Sequence, residues 1–454
     1  MGTKTRRAVV VGGGMAGLLA ARALAENDLE VRVLDRDDLA GETVRRGVPQ
    51  ARHIHALLPR GRQVLDELFP GLSSDLIAAG APSGDHLGDT RIHLSGHRLA
   101  RTHAGLSTLS CSRGLLEDHV RARVRQLPNV AFGPACDVAG LVSSADRQRV
   151  TGVRILRRAD GSAEEIVDAD LVIDATGRGS RLPTWLEALG CATPSEDRIG
   201  VDVGYATRHY RLPTDTLEGD WGTLQAPTPD LPRGAALNRI ENGRWIVTLV
   251  GMAGDHPPTD HDGFCAFARS LPFADISDAL EAGDPLDDPA GFRFASSVRR
   301  RYERLRDLPD GVVPVGDAVC NLDPIYGQGM TVAALEALVL RDHLRRHGEV
   351  APRPFLHDLA GVVDAAWEIS RGGDLAIPEV EGRRTPRDRM GGRYMARLHA
   401  AAACDPSLSL AFVRVMALVD PPTALFRPRI VVKVLRPGRP GAPAVQADER
   451  AGVG

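Results

Sequence analysis

The chain has 454 residues, 43% of them hydrophobic and 25% charged, with a formal net charge of −3. That length predicts two or three structural units with ample core, and the near-neutral balance gives no reason to expect a nucleic-acid partner. Only Lys4 and Lys433 are lysines among 56 basic residues, which argues against lysine-based Schiff-base or general-base chemistry.

The chain opens on a basic N-terminus that runs straight into an apolar stretch, without the pattern of a signal peptide. Ala8–Val11 is a short β-branched run that reads as a buried strand. Gly12, Gly14 and Gly17 follow in the order G-x-G-x-x-G, with Ala16 inside the motif. Leu18 to Glu26 is apolar all round, as suits a helix buried against a sheet. Val31, Val33 and Leu34 form a second strand ending on Asp35 and Arg36. Gly12 permits the sharp turn, Gly14 lets backbone amides approach a pyrophosphate, and Gly17 lets the helix pack on the strands. The helix N-terminus faces the phosphates, and Asp35 accepts from the hydroxyls of an adenosine ribose. A lone glycine motif is weak, but strand, glycines, helix, strand and carboxylate together predict an adenosine diphosphate site. The fingerprint does not separate NAD from FAD.

Residues 41–59 are a glycine- and arginine-rich loop containing Arg45, His53 and His55. The two histidines share a face if extended, but a metal site needs a third ligand, so they are read as polar lining of the cleft. Arg60–Leu68 reads as an amphipathic helix, residues 83–110 as strands of a β layer, and Ser112–Leu127 as a helix capped by Ser110 or Ser112. A strand pair is expected at residues 135–142 and 150–157. Ile166–Asp174 reads as one buried strand running into Asp174-Ala175-Thr176-Gly177-Arg178-Gly179-Ser180-Arg181, at the strand end where open α/β sheets bind ligands. Residues 200–250 predict an antiparallel sheet with an ENG turn, and Asp262–Leu271 a helix. In Gly311–Leu344 a strand ends at Gly316-Asp317, and a Pro/Gly-rich loop leads to a long helix starting near Gln328–Met330. Its exposed amides suit a partial negative charge, and Asp317 suits a sugar-like hydroxyl.

The C-terminal part, from Pro352 to Pro437, reads as helical. Trp367, Ile369, Leu375 and Ile377 either close a substrate cavity or pack on the core, and packing is the favoured reading. Leu408–Val419, interrupted by Arg414, is likewise read as core, ahead of a membrane contact; no apolar run reaches the ~20 residues of a membrane span. The six cysteines are scattered without C-x-x-C, as in a reduced cytoplasmic protein, which counts against a dithiol reductase and a metal site. A soluble, cytoplasmic protein without a transmembrane segment is expected. Residues 437–454 are Pro/Gly/Ala-rich and expected to be disordered.

Three separated strand ends, each with glycine and a carboxylate, call for one long ligand. GGGMAG, Arg113 in SRGLLE, DATGRGSR and GDAVCNLDPIYGQGM together resemble the flavoprotein monooxygenases of the p-hydroxybenzoate hydroxylase fold. Within these the chain looks closest to squalene epoxidase-like bacterial epoxidases and hydroxylases of polyketide and polyether tailoring, through PQARHIHALL and PIYGQGM. The resemblance covers residues 7–345 well and the last hundred only loosely. It implies an α/β fold with an α+β insertion: a Rossmann-like FAD-binding domain of the GR2 type, an inserted antiparallel substrate domain and a helical C-terminal region. The boundaries expected are 1–82, 111–185 and 297–350 for the FAD-binding domain, 83–110 and 186–296 for the substrate domain, 351–436 for the helical region and 437–454 for the tail.

Carried over residue by residue, the resemblance implies that Gly12, Gly14, Ala16 and Gly17 meet the FAD pyrophosphate and that Asp35 and Arg36 meet the adenosine ribose. It places Arg113 by the ribityl and phosphate region, Asp317 on the ribityl chain, and Pro324, Gly327, Gln328, Gly329 and Met330 along the flavin ring. Asp174 is implied to touch the cofactor, although Ala175 departs from the family's Asp-Gly, which bears on an NAD(P)H contact. Arg45 is added on its position in the loop. The implied reaction passes one oxygen of O2, through a flavin C4a-hydroperoxide, to a lipophilic natural product, with alkene epoxidation ahead of aromatic hydroxylation. Electrons come from NAD(P)H directly or from a separate flavin reductase. No protein nucleophile is needed; His53, His55 and Tyr326 are candidates for the substrate cavity. A halogenase would need W-x-W-x-I-P and a cavity lysine, whereas Trp185, Trp221, Trp245 and Trp367 are isolated and the lysines terminal. A reductase or dehydrogenase of the same fold remains as an alternative, and so does a flavin-binding protein without turnover.

Overall fold

The protein is described by a computed structural model that covers residues 6–39, 52–55, 57–158 and 163–436. Arg45 and the segment 437–454 lie outside the described residues.

Among the described residues, five strands form a parallel sheet in the order Val312–Pro314, Leu171–Asp174, Arg7–Val11, Glu30–Leu34, Val130–Phe132. Val10 lies between Val33 and Ile173, both wholly buried, which is why these strands are runs of apolar residues rather than alternating ones. The helix Met15–Ala25 packs on this sheet and on the helix Gly329–His347; small residues (Ala20, Ala21, Ala23) bring the backbones close.

The segment Ile166–Asp174 departs from expectation by splitting in two. Glu164–Asp168 is the outer strand of a three-stranded antiparallel meander with Val150–Arg157 and Cys136–Ser143, and Ile166 is 63% exposed there. Only Leu171–Asp174 enters the parallel sheet. Asp170 makes the break: its carboxylate accepts from the Arg7 amide at 2.8 Å, starting the second strand beside the first.

The second large sheet has nine strands among the described residues and is mostly antiparallel. Glu196–Arg211, Trp245–Gly251, Arg233–Arg239 and Ala290–Arg300 form its centre, and Thr90–Leu94 joins it in parallel beside Gly222–Gln225. The ENG turn closes the hairpin as read, with Asn242 at φ 63° in the left-handed region that asparagine tolerates. Trp245–Gly251 is buried throughout, with the helices His261–Arg269 and Asp275–Ala282 packed on one side. The fold is thus mixed α/β: a nucleotide-binding parallel sheet assembled from distant segments, with a large antiparallel sheet beside it.

Four helices follow, Pro352–Asp374, Pro386–Ala402, Pro406–Met416 and Pro428–Leu435. Each begins on a proline, whose missing N–H costs nothing at a helix start. Thr385 and Asp388 add a reciprocal capping box to the second. Leu398, Leu408 and Phe412 pack on Leu87, Ile92 and Leu94 of the substrate sheet's side. Trp367, Leu375 and Ile377 are core residues, and Ile369 and Ile377 line the cavity described below. Among the described residues, no helix is long and apolar enough to cross a membrane.

Candidate functional site

A cavity of about 2380 Å³ runs between the two sheets. That is more than twice the volume of an ordinary small-molecule pocket, enough for a dinucleotide and a second molecule together.

One end is shaped by the glycine turn. Gly12 has φ +105°, and a Cβ there would lie 2.4 Å from the Ala175 carbonyl oxygen; its amide donates to Leu34 O at 2.7 Å. A Cβ on Gly17 would lie 1.8 Å from Gly12 O, so this residue serves the packing of helix on turn and does not line the cavity. Gly14, Ala16, Asp35 and Arg36 line it with Gly12. Gly14 caps the helix Met15–Ala25 without a side-chain acceptor, so the first-turn amides face the cavity end unclaimed by a cap. The Asp35 carboxylate accepts from the amides of Gly13 (2.6 Å) and Asp37 (2.8 Å), which fixes its position at the strand end.

Ser112, not Ser110, caps the helix Arg113–Arg125, accepting from Leu115 N at 3.2 Å. Arg113 reaches the cavity from its first turn, its Nε donating to buried Glu117 at 3.0 Å; Arg121 holds the other Glu117 oxygen at 2.9 Å. A guanidinium braced in this way is pre-set for an anion.

Asp174 corrects the sequence expectation of a cofactor contact. It is 1% exposed and does not line the cavity. Its oxygens accept from the amide and hydroxyl of Thr176 and from the Ser180 hydroxyl, while burial raises its pKa against those hydrogen bonds. It therefore positions the loop whose Thr176, Gly177 and Arg178 do face the cavity. Arg178 also reaches across to the Phe292 ring, 5.4 Å from its centroid.

Asp317 lines the cavity as expected. Burial raises its pKa, opposed by Arg178, Arg113 and Arg300. Gly316 beside it has φ +65°, and a Cβ there would meet the Ala16 Cβ at 2.7 Å, so the third segment seats against the first only through glycine. The Gly316 amide donates to Glu336, a buried side chain of the helix Gly329–His347 whose pKa burial pushes up to about 8. A neutral acid thus supports the loop from behind, a role that an acidic residue within the apolar half of a helix signals only faintly.

Pro324, Gly327, Gly329 and Met330 line the cavity, and a Cβ on Gly329 would meet nothing within 4 Å, leaving open space at the helix start. Gln328 turns inward instead: it is 1% exposed and its Nε2 donates to Met416 O at 3.2 Å, joining the loop to the C-terminal helices. This chain's residues fit FAD: amides at two helix starts, an arginine, two carboxylates at strand ends and open space along a glycine loop.

The far end is apolar, walled by Ile92, Leu94, Leu224, Phe294, Phe412 and Met416. His53 sits between the two ends, its ring 5.4 Å from Phe292 and 6.0 Å from Tyr205. Its Nδ1 pairs with the Thr207 hydroxyl at 2.7 Å, and Thr207 pairs with Thr248 at 2.7 Å. Burial, with Arg52 adding, pushes the His53 pKa down to about 4. His55 is held against the His53 carbonyl at 2.8 Å, and burial with nearby Arg113 pushes its pKa down to about 3. Among the described residues, no cluster of three His, Cys, Asp or Glu side chains is placed to hold a metal ion.

Residues 8–184 match the FAD dependent oxidoreductase family. The chain belongs to the FAD-dependent oxidoreductases. Its family includes Protein Rv3254 of Mycobacterium tuberculosis, 36% identical over 442 residues that span 92% of this chain and 91% of that one. It is also 24% identical to a kynurenine 3-monooxygenase of Salinispora tropica over 399 residues, 82% of each chain. Among solved structures it resembles the flavin-dependent brominase Bmp2, at a TM-score of 0.66 and 16% identity over 91% of this chain and 94% of that one, a likeness of fold alone.

Proposed function

We propose that the protein is an FAD-dependent monooxygenase that inserts one oxygen atom of O2 into a lipophilic natural product, with alkene epoxidation as the reaction. The observation that carries this reading is the continuity of the cavity: nucleotide-binding loops at one end and apolar walls at the other meet along Pro324–Met330. Gly12, Gly14, Asp35, Arg36 and Arg113 would hold the nucleotide, and Asp317 the ribityl chain. Bound FAD, reduced by NAD(P)H or by a flavin reductase, supplies the activation of O2.

The chain's own part is to position and to dry. The amides at the start of the helix Gly329–His347 offer hydrogen bonds to negative charge on the cofactor edge. Ile92, Leu224 and Phe294 exclude water from the substrate side. Epoxidation requires no base to deprotonate substrate, so the apolar stretch of wall formed by Ile92, Leu94, Leu224 and Phe294 suffices for it.

A second reading, hydroxylation of an aromatic ring, is favoured by His53. It is neutral at physiological pH, faces the cavity and is oriented by Thr207, so it has the attributes of a base for a phenol. Anaerobic reduction of the holoprotein followed by mixing with oxygenated buffer tests the proposal. A transient between reduced and oxidised flavin, shortened by alkenes with label from isotopic O2 in the product, is expected. Oxidation of reduced flavin by an alkene without O2 would replace the reading with a reductase.

A further inference from the structure

The loop bearing Pro324 and Tyr326 is fastened from behind by two buried carboxyl groups. Asp323 is 1% exposed, and Asp374, at the end of the helix Pro352–Asp374, is 0% exposed. Asp323 Oδ2 is buried with no donor against it, and the two carboxyl groups influence each other's titration, so a proton on that oxygen, shared with Asp374, answers an otherwise unmet buried polar atom. Asp323 Oδ1 accepts from the Ile325 amide (3.0 Å) and the Tyr205 hydroxyl (3.3 Å). Asp374 accepts from the Tyr326 hydroxyl (2.9 Å) on one oxygen and the Ser370 hydroxyl (3.3 Å) on the other.

Among the described residues no cation pairs with either carboxyl; Arg371, on the same helix, is engaged by Asp388 and Glu368. Burial raises both pKa values, the charge of Asp323 adds to the rise at Asp374, and two such groups together do not both ionise readily. A second feature is built for this contact. Gly373 has no side chain where a Cβ would lie 2.1 Å from the Tyr326 hydroxyl oxygen, so the helix end admits the tyrosine. The cluster joins the substrate sheet through Tyr205, the cavity loop through Tyr326 and the C-terminal helices through Asp374.

We propose that Asp323 and Asp374 are positioning residues: sharing one proton, they clamp Tyr326 and the Pro324–Gly327 turn against the cofactor cavity, and loss of that proton loosens the cradle. The inference rests on the reading that FAD lies along this loop. Because both pKa values are raised in the folded protein, the clamp is complete at low pH and is lost as pH rises through them. The other groups on the pair, Tyr205 and Tyr326, have pKa values raised above their ordinary range and stay neutral as hydrogen-bond donors.

The test is FAD release from the holoprotein, followed as flavin fluorescence after dilution at about pH 6 and about pH 9. Wild type is expected to release FAD on the order of tenfold faster at the higher pH, the change that one unit of proton coupling gives. Asp374→Asn, whose amide donates to Asp323 at any pH, is expected to release slowly at both, and Asp374→Leu fast at both. Glu336→Gln, which removes another buried carboxyl that titrates in this range, is expected to keep the step. An Asn variant that follows the wild-type curve, a Leu variant as slow as wild type, or a step abolished by Glu336→Gln would each overturn the proposal. Near-UV circular dichroism of the apoprotein reads the same clamp through its tyrosines. A pH step there, absent in Asp374→Asn, upholds the clamp even if the protein takes no FAD, an outcome that would defeat only the cofactor placement; the same step in both proteins would defeat the clamp.

Discussion

At its nucleotide end the cavity is walled largely by backbone. Gly12 and Gly316 bring three chain segments within contact of one another, and the polar groups offered to a ligand include amides, strand-end carboxylates and arginines. At the other end the wall is made of apolar residues contributed by the large sheet and by helices that come last in the chain. The first end has one workable geometry, because a single Cβ collides with a carbonyl. The second tolerates exchange of one apolar side chain for another of similar volume. The geometry of the glycine end is thereby held fixed while the apolar end is free to vary.

Substitutions at the two ends sharpen this contrast. Gly17→Val drives a side chain into the Gly12 carbonyl, and it is expected to abolish flavin binding and to cost about 4 kcal/mol or more, read as flavin content and thermal midpoint. Phe412→Ala removes a buried ring from the apolar end and should cost roughly 3–5 kcal/mol while leaving bound flavin in the fraction that folds. Flavin lost in proportion to neither would break the separation of the two ends. Asp35→Ala is expected to weaken FAD binding by about 1–3 kcal/mol in titrations of apoprotein, with little loss of fold.

The smallest effect belongs to His53. If it serves as a base on an aromatic substrate, turnover should stay level as pH falls and drop only near its depressed pKa of about 4, since the neutral form persists above that value. His53→Gln would then remove the acid limb and lower kcat; an alkene epoxidation should leave kcat within about twofold. A pH–rate profile of wild type and variant decides between the two reactions.

What was legible in the sequence follows the same division. A backbone-built site leaves glycines at fixed spacing, so Gly12, Gly14, Asp35 and Asp317 were read at positions that line the cavity, whereas Gly17, also read as a cofactor contact, packs behind the turn. Asp174 was misread, because a carboxylate at a strand end looks alike in sequence whether it faces a ligand or its own loop. Ile166–Asp174 read as one strand because an apolar run does not show where a chain leaves one sheet for another. Gln328 fell within a cavity loop and yet turns inward, a rotation that depends on Met416 far along the chain. Asp323 and Asp374, and the Thr207–Thr248 support of His53, meet only in three dimensions and leave no local pattern.

The pairing of Leu171–Asp174 with Val312–Pro314, and of the helix Met15–Ala25 with Gly329–His347, has a consequence during synthesis. The first helix leaves the ribosome roughly three hundred residues before the partner that covers it, a long interval for an apolar surface. Nascent chains that end short of Gly329 should therefore recruit holding chaperones, and the glycine turn should acquire its final shape only as the last third of the chain emerges.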